Sequence, residues 1–409
     1  MTEAASATLT YKSEPSLVPA GGTCEHTFLE FFAGIGLTHL GLQPHGWRCI
    51  YANDIDEKKH RMYQACFGDA NYHVEDVWNT KKIVEKIPLE RADLASASFP
   101  CVDLSLAGNL KGFDGEQSAS FNGFVKVLRD LKSQDRLPNA VLVENVRGFL
   151  SSHDGKFFRF ALTALSRLGY CLDAFVVDAK HFVPQSRPRL FIVGFLKNLL
   201  TPLRSRGTDE WSLRERSPLR PAQLVRALEE APLQTAWVPL SLPPLPPENR
   251  SLHSQIDLDD DQDWWSDLLV DKHLAEMDPS HLERMAKLRK RADLTVGTIY
   301  RRVRNGRSRS EIRVDGLAGC LRTPRGGSSK QIVFVAGRRK IRMRWMSPRE
   351  YARLQGCPNF PIQVDRNEAL FGFGDGVCVP VIEWIAENVL SQLFPTFALF
   401  DQPQQTACD

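Results

Sequence analysis

Four side chains that could carry out chemistry lie beside apolar segments of the sequence. Cys101 follows a proline in SFPCVDLS, and Glu144 lies near the end of the apolar segment AVLVENV. Arg187 and Arg189 stand two residues apart in QSRPRLFIVGF, directly before another apolar run. A thiolate can attack an electron-poor ring if nearby cations lower its pKa, and a carboxyl group can hold a proton on that ring. These residue types therefore fit a nucleophilic site for such a ring.

Each of these residues also has an ordinary structural interpretation. A single cysteine is more often a small buried hydrophobic residue, and Glu144 could be a buried acid paired with an arginine. Such a pair could coexist with catalysis. Their shared position at predicted strand edges favours a site, because ligands bind at the carboxyl ends of parallel strands.

A glycine turn near the start of the chain could hold a cofactor. FLEFFAGIGL is typical of a strand that turns through Gly34 and Gly36 into a helix, which lets the backbone approach a ligand. The pattern lacks the third glycine of the dinucleotide fingerprint and is also typical of a plain strand–helix turn. Asp54 ends CIYAND, and Asp76 follows in HVEDVW. The ordered glycines and acids favour an adenosine-containing cofactor without a pyrophosphate, S-adenosylmethionine rather than NAD.

The elements that must position these residues alternate along 27–195. Apolar segments such as CIYAND, LASASF and AVLVENV predict buried strands, and helices are predicted over 57–67, 121–132 and 156–167. Strands separated by helices indicate an α/β protein with a doubly wound parallel sheet. A further helix is predicted over 380–394, packing back on this domain.

Composition narrows the class of protein. The 409 residues are 43% hydrophobic and 25% charged, as in soluble globular proteins. We see neither an apolar run near the roughly 20 residues that span a bilayer nor the pattern of a secretory signal, so no membrane association is expected. The nine cysteines form no CxxC pair, so we expect no disulfide framework, no metal site and an intracellular location.

Charge is distributed unevenly along the chain. The segment 284–344 has 19 lysines and arginines against Asp293, Glu311 and Asp315, a local net charge of +16 in a chain of net charge +3. A solvated basic face is the ordinary interpretation of such a segment. The density and length of the excess favour a polyanion-binding surface, and nucleic acid above other polyanions. The proline-rich and acidic stretch 239–271 is expected to be structural.

The ordered set FAGIGL, ND, PCVDLS, ENV and QSRPRLFIVG resembles the DNA (cytosine-5) methyltransferases of bacterial restriction–modification systems. The resemblance continues in RMRWMSPREYARLQGCP and GFGDGVCVPV and covers about residues 25–200 and 340–395. Any one motif is weak, whereas the series in this order is specific. It implies a Rossmann-like S-adenosylmethionine-dependent domain and a smaller, irregular target-recognition domain. The implied segments are a flexible lead (1–22), the catalytic and cofactor-binding domain (23–200), the target-recognition domain (201–340) and a part that completes the catalytic domain (341–409).

The resemblance implies a role for each catalytic candidate. Cys101 would add to C6 of a cytosine flipped out of duplex DNA, and Glu144 would act at N3. Arg189 would contact the ring oxygen and Arg187 would support the site. The glycine- and serine-rich loop after Cys101 would close as a lid.

The resemblance also implies a cofactor pocket. Asp54 would bind the ribose, Ile55 would pack on adenine and Asp76 would accept from its amino group. The implied pocket residues are Phe32, Ala33, Gly34, Ile35, Gly36, Asp54, Ile55, Asp76, Val77, Pro100, Asp375 and Val377. Two residues depart from the family's usual pattern: Val102 replaces a common glutamine, and Asp375 replaces a common asparagine in GDGV.

Contacts with DNA are expected in GCLRTPRGGSSKQ, which combines glycines, hydroxyls and basic side chains that could read base edges or hold phosphates. The candidates are Arg322, Arg325, Ser328 and Lys330. The implied partner is double-stranded DNA, alongside a cognate endonuclease that makes no direct contact, and the implied state is a monomer in the bacterial cytoplasm at the nucleoid. A tRNA cytosine-5 methyltransferase and a catalytically silent DNA-binding regulator are the alternatives.

Overall fold

The computed structural model describes residues 26–100, 119–199, 216–231, 235–259, 262–304, 307–323 and 330–394. Three predicted site residues lie outside the described residues: Cys101, Arg325 and Ser328. The same holds for the predicted lead 1–22 and for most of the predicted lid after Cys101.

A seven-stranded sheet forms the larger layer within these ranges. Its strands are β1 (His26–Phe31), β2 (Trp47–Asp54), β3 (Tyr72–Val74), β4 (Leu94–Ala97), β5 (Ala140–Val146), β6 (Tyr170–Asp178) and β7 (Pro188–Leu196). Their spatial order is β3-β2-β1-β4-β5-β7-β6. The order reverses at the β1–β4 neighbours, which leaves a crevice at the carboxyl ends of the strands.

The first five strands pair in parallel, as predicted, whereas β7 is antiparallel to both β5 and β6. The α/β class is confirmed, but the prediction named no strand at β6 and missed the antiparallel pair. Only residues 179–187 separate β6 from β7. Such a connection is too short for a parallel crossover, so the two strands must turn back on each other.

Most of the described helices cover the two faces of this sheet, and two of them, within 267–289, pack on a second sheet instead. They are α1 (Leu37–Leu42), α2 (Glu57–Phe67), α3 (Thr80–Lys86), α4 (Ala119–Ser133), α5 (Lys156–Leu168), α6 (Ala222–Glu229), α7 (Asp267–Ala275), α8 (Pro279–Arg289), α9 (Pro348–Leu354), α10 (Arg366–Asp375), α11 (Val379–Ile385) and α12 (Ser391–Leu393). Neighbouring strand residues enter different buried clusters: Phe28 and Leu142 lie in one, Leu29 and Val141 in the other. This alternation follows from the two-residue period of a strand and places one core on each face.

A buried acid fixes the start of α1. Gly36, the residue before α1, is in the left-handed conformation (φ 82°) and supplies no side-chain cap. Glu30 of β1 accepts hydrogen bonds from the Thr38 hydroxyl and the His39 backbone N–H instead. Burial raises the pKa of Glu30 to about 8, and its Oε2 has no hydrogen-bond partner among the described residues. The turn after β1 is therefore stabilised by the buried carboxyl group of Glu30, and the raised pKa of this group favours its protonated form.

The second sheet is antiparallel, with the order β11-β10-β8-β9. Its strands are β8 (Thr295–Arg304), β9 (Arg307–Arg313), β10 (Ile332–Gly337) and β11 (Lys340–Trp345). Ile299, Phe334 and Met343 pack with Met285 of α8 in a third buried cluster. This sheet lies within the basic segment and runs past the boundary expected at residue 340, because β11 pairs with β10 up to Trp345.

The acidic part of the proline-rich and acidic stretch contacts β11 of the second sheet and α9, the helix that follows it. Asp257 accepts a hydrogen bond from Arg353 at 2.7 Å, and its carbonyl accepts one from Arg344 at 2.7 Å. Arg344 also donates to the buried carboxylate of Glu350 at 2.8 Å, and the Arg342 guanidinium lies over the Trp264 ring. These contacts agree with the structural role expected for the stretch.

The start of the proline-rich stretch, together with the residues just before it, runs along the outer edge of the first sheet. The Leu172 N–H of β6 donates to the Ala236 carbonyl, and the Val238 N–H donates to the Leu172 carbonyl. The buried Asp173 accepts from Arg220 at 2.8 Å and from the Leu240 N–H at 2.9 Å. The stretch thereby pairs an edge strand that would otherwise expose its backbone.

The C-terminal helices return to the first sheet, as predicted. Ile382 of α11 packs against Gly41 of α1, and Trp384 lies edge-on to Phe175 of β6. Arg366–Leu393 is the one described stretch that is long and apolar enough to cross a membrane, but 72% of its most apolar window is buried inside the protein. We interpret it as part of the core.

Candidate active site

Glu144 and Arg189 meet at the edge of the first sheet. The antiparallel register places Arg189 opposite Val146, two residues beyond Glu144 on β5. The Arg189 Nε lies 2.9 Å from the Glu144 Oε1, and both side chains are largely buried. Burial raises the pKa of Glu144, although Arg189, Arg187 and a hydrogen bond from Ser98 act in the opposite direction. This carboxyl group therefore holds a proton more readily than an ordinary glutamate.

The segment that leads to Cys101 is anchored beside this pair. Asn145, next to Glu144, donates from its side chain to the Phe99 carbonyl at 3.3 Å. Ser98, which follows β4, hydrogen-bonds the Glu144 carboxyl. The sequence reasoning assigned no role to Ser98 or Asn145, although ENV was part of the recognised motif. Both residues bring the end of β5 to the chain just before the predicted nucleophile.

Arg187 lies below the surface and joins three segments of the chain. Its guanidinium donates to the Leu321 carbonyl at 2.8 Å and to the Gly374 carbonyl at 3.1 Å, and it also contacts the Gly376 carbonyl. The side chain is buried. Arg187 thus connects β7 to the start of the predicted DNA-contacting loop and to the GDGV segment, which agrees with a supporting position.

A second thiol lies beside the two arginines. The Cys320 Sγ is 3.3 Å from the Arg187 Nη1 and 3.8 Å from the Arg189 Nη2. Burial alone would raise the pKa of this thiol, but the two guanidinium groups outweigh it and hold the pKa below its ordinary value. Sequence reasoning missed Cys320, because its partners lie more than 100 positions away along the chain.

The cofactor loop has the geometry that its glycines predict. Phe32, Gly34 and Gly36 all have positive φ (56°, 57° and 82°), so the chain turns sharply between β1 and α1. The Gly34 N–H donates to the Asp54 Oδ2 at 3.0 Å, and the Asp56 N–H donates to the Asp54 Oδ1 at 3.0 Å. These two bonds fix the orientation of the carboxylate at the end of β2.

The surroundings of this loop fit an adenosine group. Ile55 is 68% exposed and Trp78 is 44% exposed, which is high for large apolar side chains. Asp76 lies between β3 and Trp78 and accepts from the Trp78 N–H at 3.0 Å. Exposed apolar surface beside oriented carboxylates suits a ring that packs on one face and donates from its edge. Pro100 and Asp375 are exposed. Val377 is buried, and buried Val77 packs closely against Gly123.

The two described candidates for DNA contacts, Arg322 and Lys330, contact different parts of the protein. Arg322 is exposed, with its guanidinium 5.5 Å from the centroid of the Tyr300 ring. Lys330 donates to the Asn367 Oδ1 at 2.8 Å. The Arg322 side chain therefore lies over β8 of the second sheet, whereas the Lys330 amine is hydrogen-bonded to α10 of the returning chain.

One group of metal-type donors lies in the described part of the chain, away from the catalytic edge. Donor atoms of Glu30, His39 and Cys49 lie within 4.8 Å of one another beneath the cofactor loop. Hydrogen bonds already account for two of them: the His39 Nδ1 lies 2.8 Å from the Tyr63 hydroxyl, and the Cys49 thiol donates to the Tyr51 carbonyl at 3.4 Å.

A doubly wound sheet with a glycine turn after β1 and oriented acids at the ends of β2 and β3 defines a Rossmann-like methyltransferase fold. A model of the family described as C-5 cytosine-specific DNA methylase matches residues 26–391. The chain belongs to this family, whose members transfer a methyl group from S-adenosylmethionine to C5 of cytosine in DNA. The family, activity and cofactor expected from the sequence are confirmed.

Known proteins resemble the chain over nearly its whole length. The type II methyltransferase M.HpaII of Haemophilus parainfluenzae is 27% identical over 385 residues, 90% of this chain and 90% of that protein. M.HhaI of Haemophilus parahaemolyticus is 24% identical over 368 residues, 90% and 94% of the two chains. The crystal structure of the S. pombe Dnmt2 methyltransferase has a TM-score of 0.58 at 16% identity and covers 91% of this chain and 100% of that chain, which shows the shared fold.

Proposed function

We propose that this enzyme methylates a flipped-out cytosine within a short specific sequence of duplex DNA, through a covalent bond between Cys101 and C6. The observation that carries the proposal is the buried Glu144–Arg189 pair at the sheet edge, beside the segment that leads to Cys101. Bound S-adenosylmethionine supplies the methyl group as an electrophile. Cys101, Glu144 and Arg189 make C5 of the ring nucleophilic.

The Cys101 thiolate adds to C6, which breaks the aromaticity of the ring and builds electron density at C5. Glu144 holds a proton at N3, a role that its raised pKa favours. Arg189 fixes the Glu144 carboxyl and binds the ring oxygen, and Arg187 supports the site by holding the Leu321 and Gly374 carbonyls. After methyl transfer a water molecule takes the proton from C5, the C5–C6 double bond forms again as Cys101 departs as the thiolate, and the proton on N3 returns to Glu144.

Substitution of Cys101 by alanine tests this assignment. We expect methyl transfer from labelled S-adenosylmethionine to fall to background, because the proposed mechanism needs the Cys101 thiolate to add to C6. DNA binding should survive. Retained methyl transfer would contradict the proposal. The wild-type enzyme should also form a covalent adduct with DNA containing 5-fluorocytosine, and C101A should not.

Bisulfite-type sequencing of the labelled product would give the substrate. Methylation at one short motif in unmethylated genomic DNA is the expected result. Methylation of tRNA without methylation of DNA would move the assignment to RNA.

The relatives named type II methyltransferases support a wider assignment. We propose that the chain is the modification half of a restriction–modification system, acts as a monomer in the bacterial cytoplasm at the nucleoid, and makes no contact with its endonuclease. We assign target recognition to the expected segment 201–340 extended to Trp345, the end of β11, and the catalytic domain to 23–200 with 346–409. Expression in a host should protect host DNA from an endonuclease that cuts at the methylated motif.

A further inference from the structure

An ion pair that sequence reasoning missed lies against the cofactor loop. The Lys59 Nζ of α2 is 2.8 Å from the Asp375 Oδ2 at the end of α10. The Lys59 side chain is 18% exposed and that of Asp375 is 43% exposed. The lysine is therefore mostly covered, while part of the carboxylate remains open to a ligand.

The ammonium group of Lys59 lies near two acidic side chains, Asp54 and Asp375. Burial alone would lower the pKa of Lys59, but Asp54 and Asp375 outweigh it and raise the pKa, so the group stays charged. The stem of Lys59 lies along the glycine turn, because its Cδ is 3.9 Å from where a Cβ on Gly34 would stand. Lys59 thus joins the glycine turn, the end of β2 and the GDGV segment.

The two charges match the amino-acid end of the cofactor. That end carries a carboxylate and an ammonium group, and the pair offers an ammonium group and a carboxylate in turn. Asp54 is held by the N–H groups of Gly34 and Asp56, which favours its assignment to the ribose. The partly exposed pair of Lys59 and Asp375 is then available for the amino-acid end of the ligand.

We propose that Lys59 and Asp375 bind the amino-acid end of S-adenosylmethionine, with the Lys59 ammonium on its carboxylate and Asp375 on its ammonium group. This proposal rests on the cofactor site proposed above. It also accounts for the residue at 375, where related enzymes commonly have an asparagine: a charged acid is balanced here by a lysine on α2. The two side chains together recognise the zwitterionic amino-acid end of the ligand.

Binding of two ligands by the full chain separates this role from a structural one. S-adenosylhomocysteine has the amino-acid end, whereas 5′-methylthioadenosine has only the adenosine and sulfur part. Titration calorimetry would give Kd for both ligands with wild type, K59M, K59R, D375N and K58M. Lys58 is the matched control, since it is 64% exposed and pairs with Glu368 at 3.4 Å.

We expect K59M to weaken S-adenosylhomocysteine about tenfold or more, which corresponds to the loss of one charge-assisted hydrogen bond, and to leave methylthioadenosine within about twofold. K59R should restore most of the affinity. D375N should weaken the same ligand selectively, and K58M should change neither. Equal weakening of both ligands by K59M, or no weakening, would overturn the proposal.

An Asp54→Ala variant keeps the two proposals distinguishable. Both ligands have a ribose, so D54A should weaken both, and thermal unfolding would check that each variant is folded. Unchanged binding of both ligands to D54A would contradict the ribose assignment, while the difference between the two ligands in K59M would still decide the role of the pair.

Discussion

The thiol of Cys320 and the carboxyl group of Glu144 share the Arg189 guanidinium. The Arg189 Nε reaches Glu144 at 2.9 Å, and its Nη2 lies 3.8 Å from the Cys320 Sγ. A thiol whose pKa is held below its ordinary value ionises more readily, and in its ionised form it puts negative charge next to the proposed proton holder. That charge offsets part of the positive field that would otherwise lower the pKa of Glu144. The state of Cys320 is thus coupled to the proton on Glu144.

Replacement of Cys320 by alanine tests this coupling. Removing the thiol removes the negative charge of its ionised form and leaves both arginines acting on Glu144, so the pKa of Glu144 should fall. Activity that needs a protonated Glu144 is lost as the pH rises through that pKa, and the alkaline limb of the kcat profile should therefore move to lower pH. Cys66→Ala on α2 is the control and should not move it. An unchanged profile in C320A would rule the coupling out.

At the scale of elements, the turn between β1 and α1 depends on a buried carboxyl group. Glu30 holds the first turn of α1 through Thr38 and His39, with a pKa of about 8. The unfolded chain releases this proton at the ordinary value near 4.5, while the folded protein keeps it until about 8. Stability from this group is therefore present at low pH and is lost as the pH rises between those values.

Glu30→Gln should remove this dependence. As the pH rises from 4.5 to 8, the free energy of unfolding of wild type should fall relative to that of E30Q. The 3.5-unit span sets an upper limit of roughly 5 kcal/mol. Urea denaturation at a series of pH values measures it, with exposed Glu85→Gln as the control. Parallel curves for wild type and E30Q would contradict the prediction.

The sequence allowed prediction of elements whose pattern is local. Helix α2 lies at the predicted 57–67, and α5 ends one residue beyond the predicted 156–167, because apolar spacing and glycine ends are properties of neighbouring residues. The antiparallel β7 and the contacts of Cys320 and Lys59 were not predicted. They depend on which distant segments pack together, and a single sequence gives no direct sign of that. Asp375 was noticed as a departure, but its partner on α2 was not.

At the scale of the whole molecule, the start of the predicted DNA-contacting loop is fixed to the catalytic domain. The Leu321 N–H donates to the Gln185 Oε1 at 3.0 Å, and its carbonyl accepts from Arg187. A Cβ on Gly374 would stand only 2.6 Å from the Arg322 backbone carbon, so the two segments are in close contact. The second sheet, to which target recognition is assigned in our proposal, is thereby held at a set position relative to Glu144.

Arg322→Ala tests whether this loop contacts the phosphates or the bases of DNA. The exposed guanidinium over Tyr300 stands on a basic sheet, so we expect a phosphate contact. Its loss should weaken binding to all sequences and lower the salt slope of the binding constant by about one. Arg48→Ala, which removes an exposed arginine from β2 of the first sheet, is the control. Loss of preference at a single base pair, with the slope unchanged, would assign base reading instead.

The return of α11 and α12 to the first sheet has a consequence for synthesis of the protein. All seven strands of that sheet have been made by residue 196, yet the helix that covers Gly41 and Phe175 begins at Val379. At about 5–20 residues per second, the ribosome needs roughly 10–40 s to make the residues between. During that interval the part of one apolar face of the nascent sheet that α11 covers stays exposed, although α1 and α2 of the same face have been made. A chain that stopped before residue 379 would keep that face open to other newly made chains.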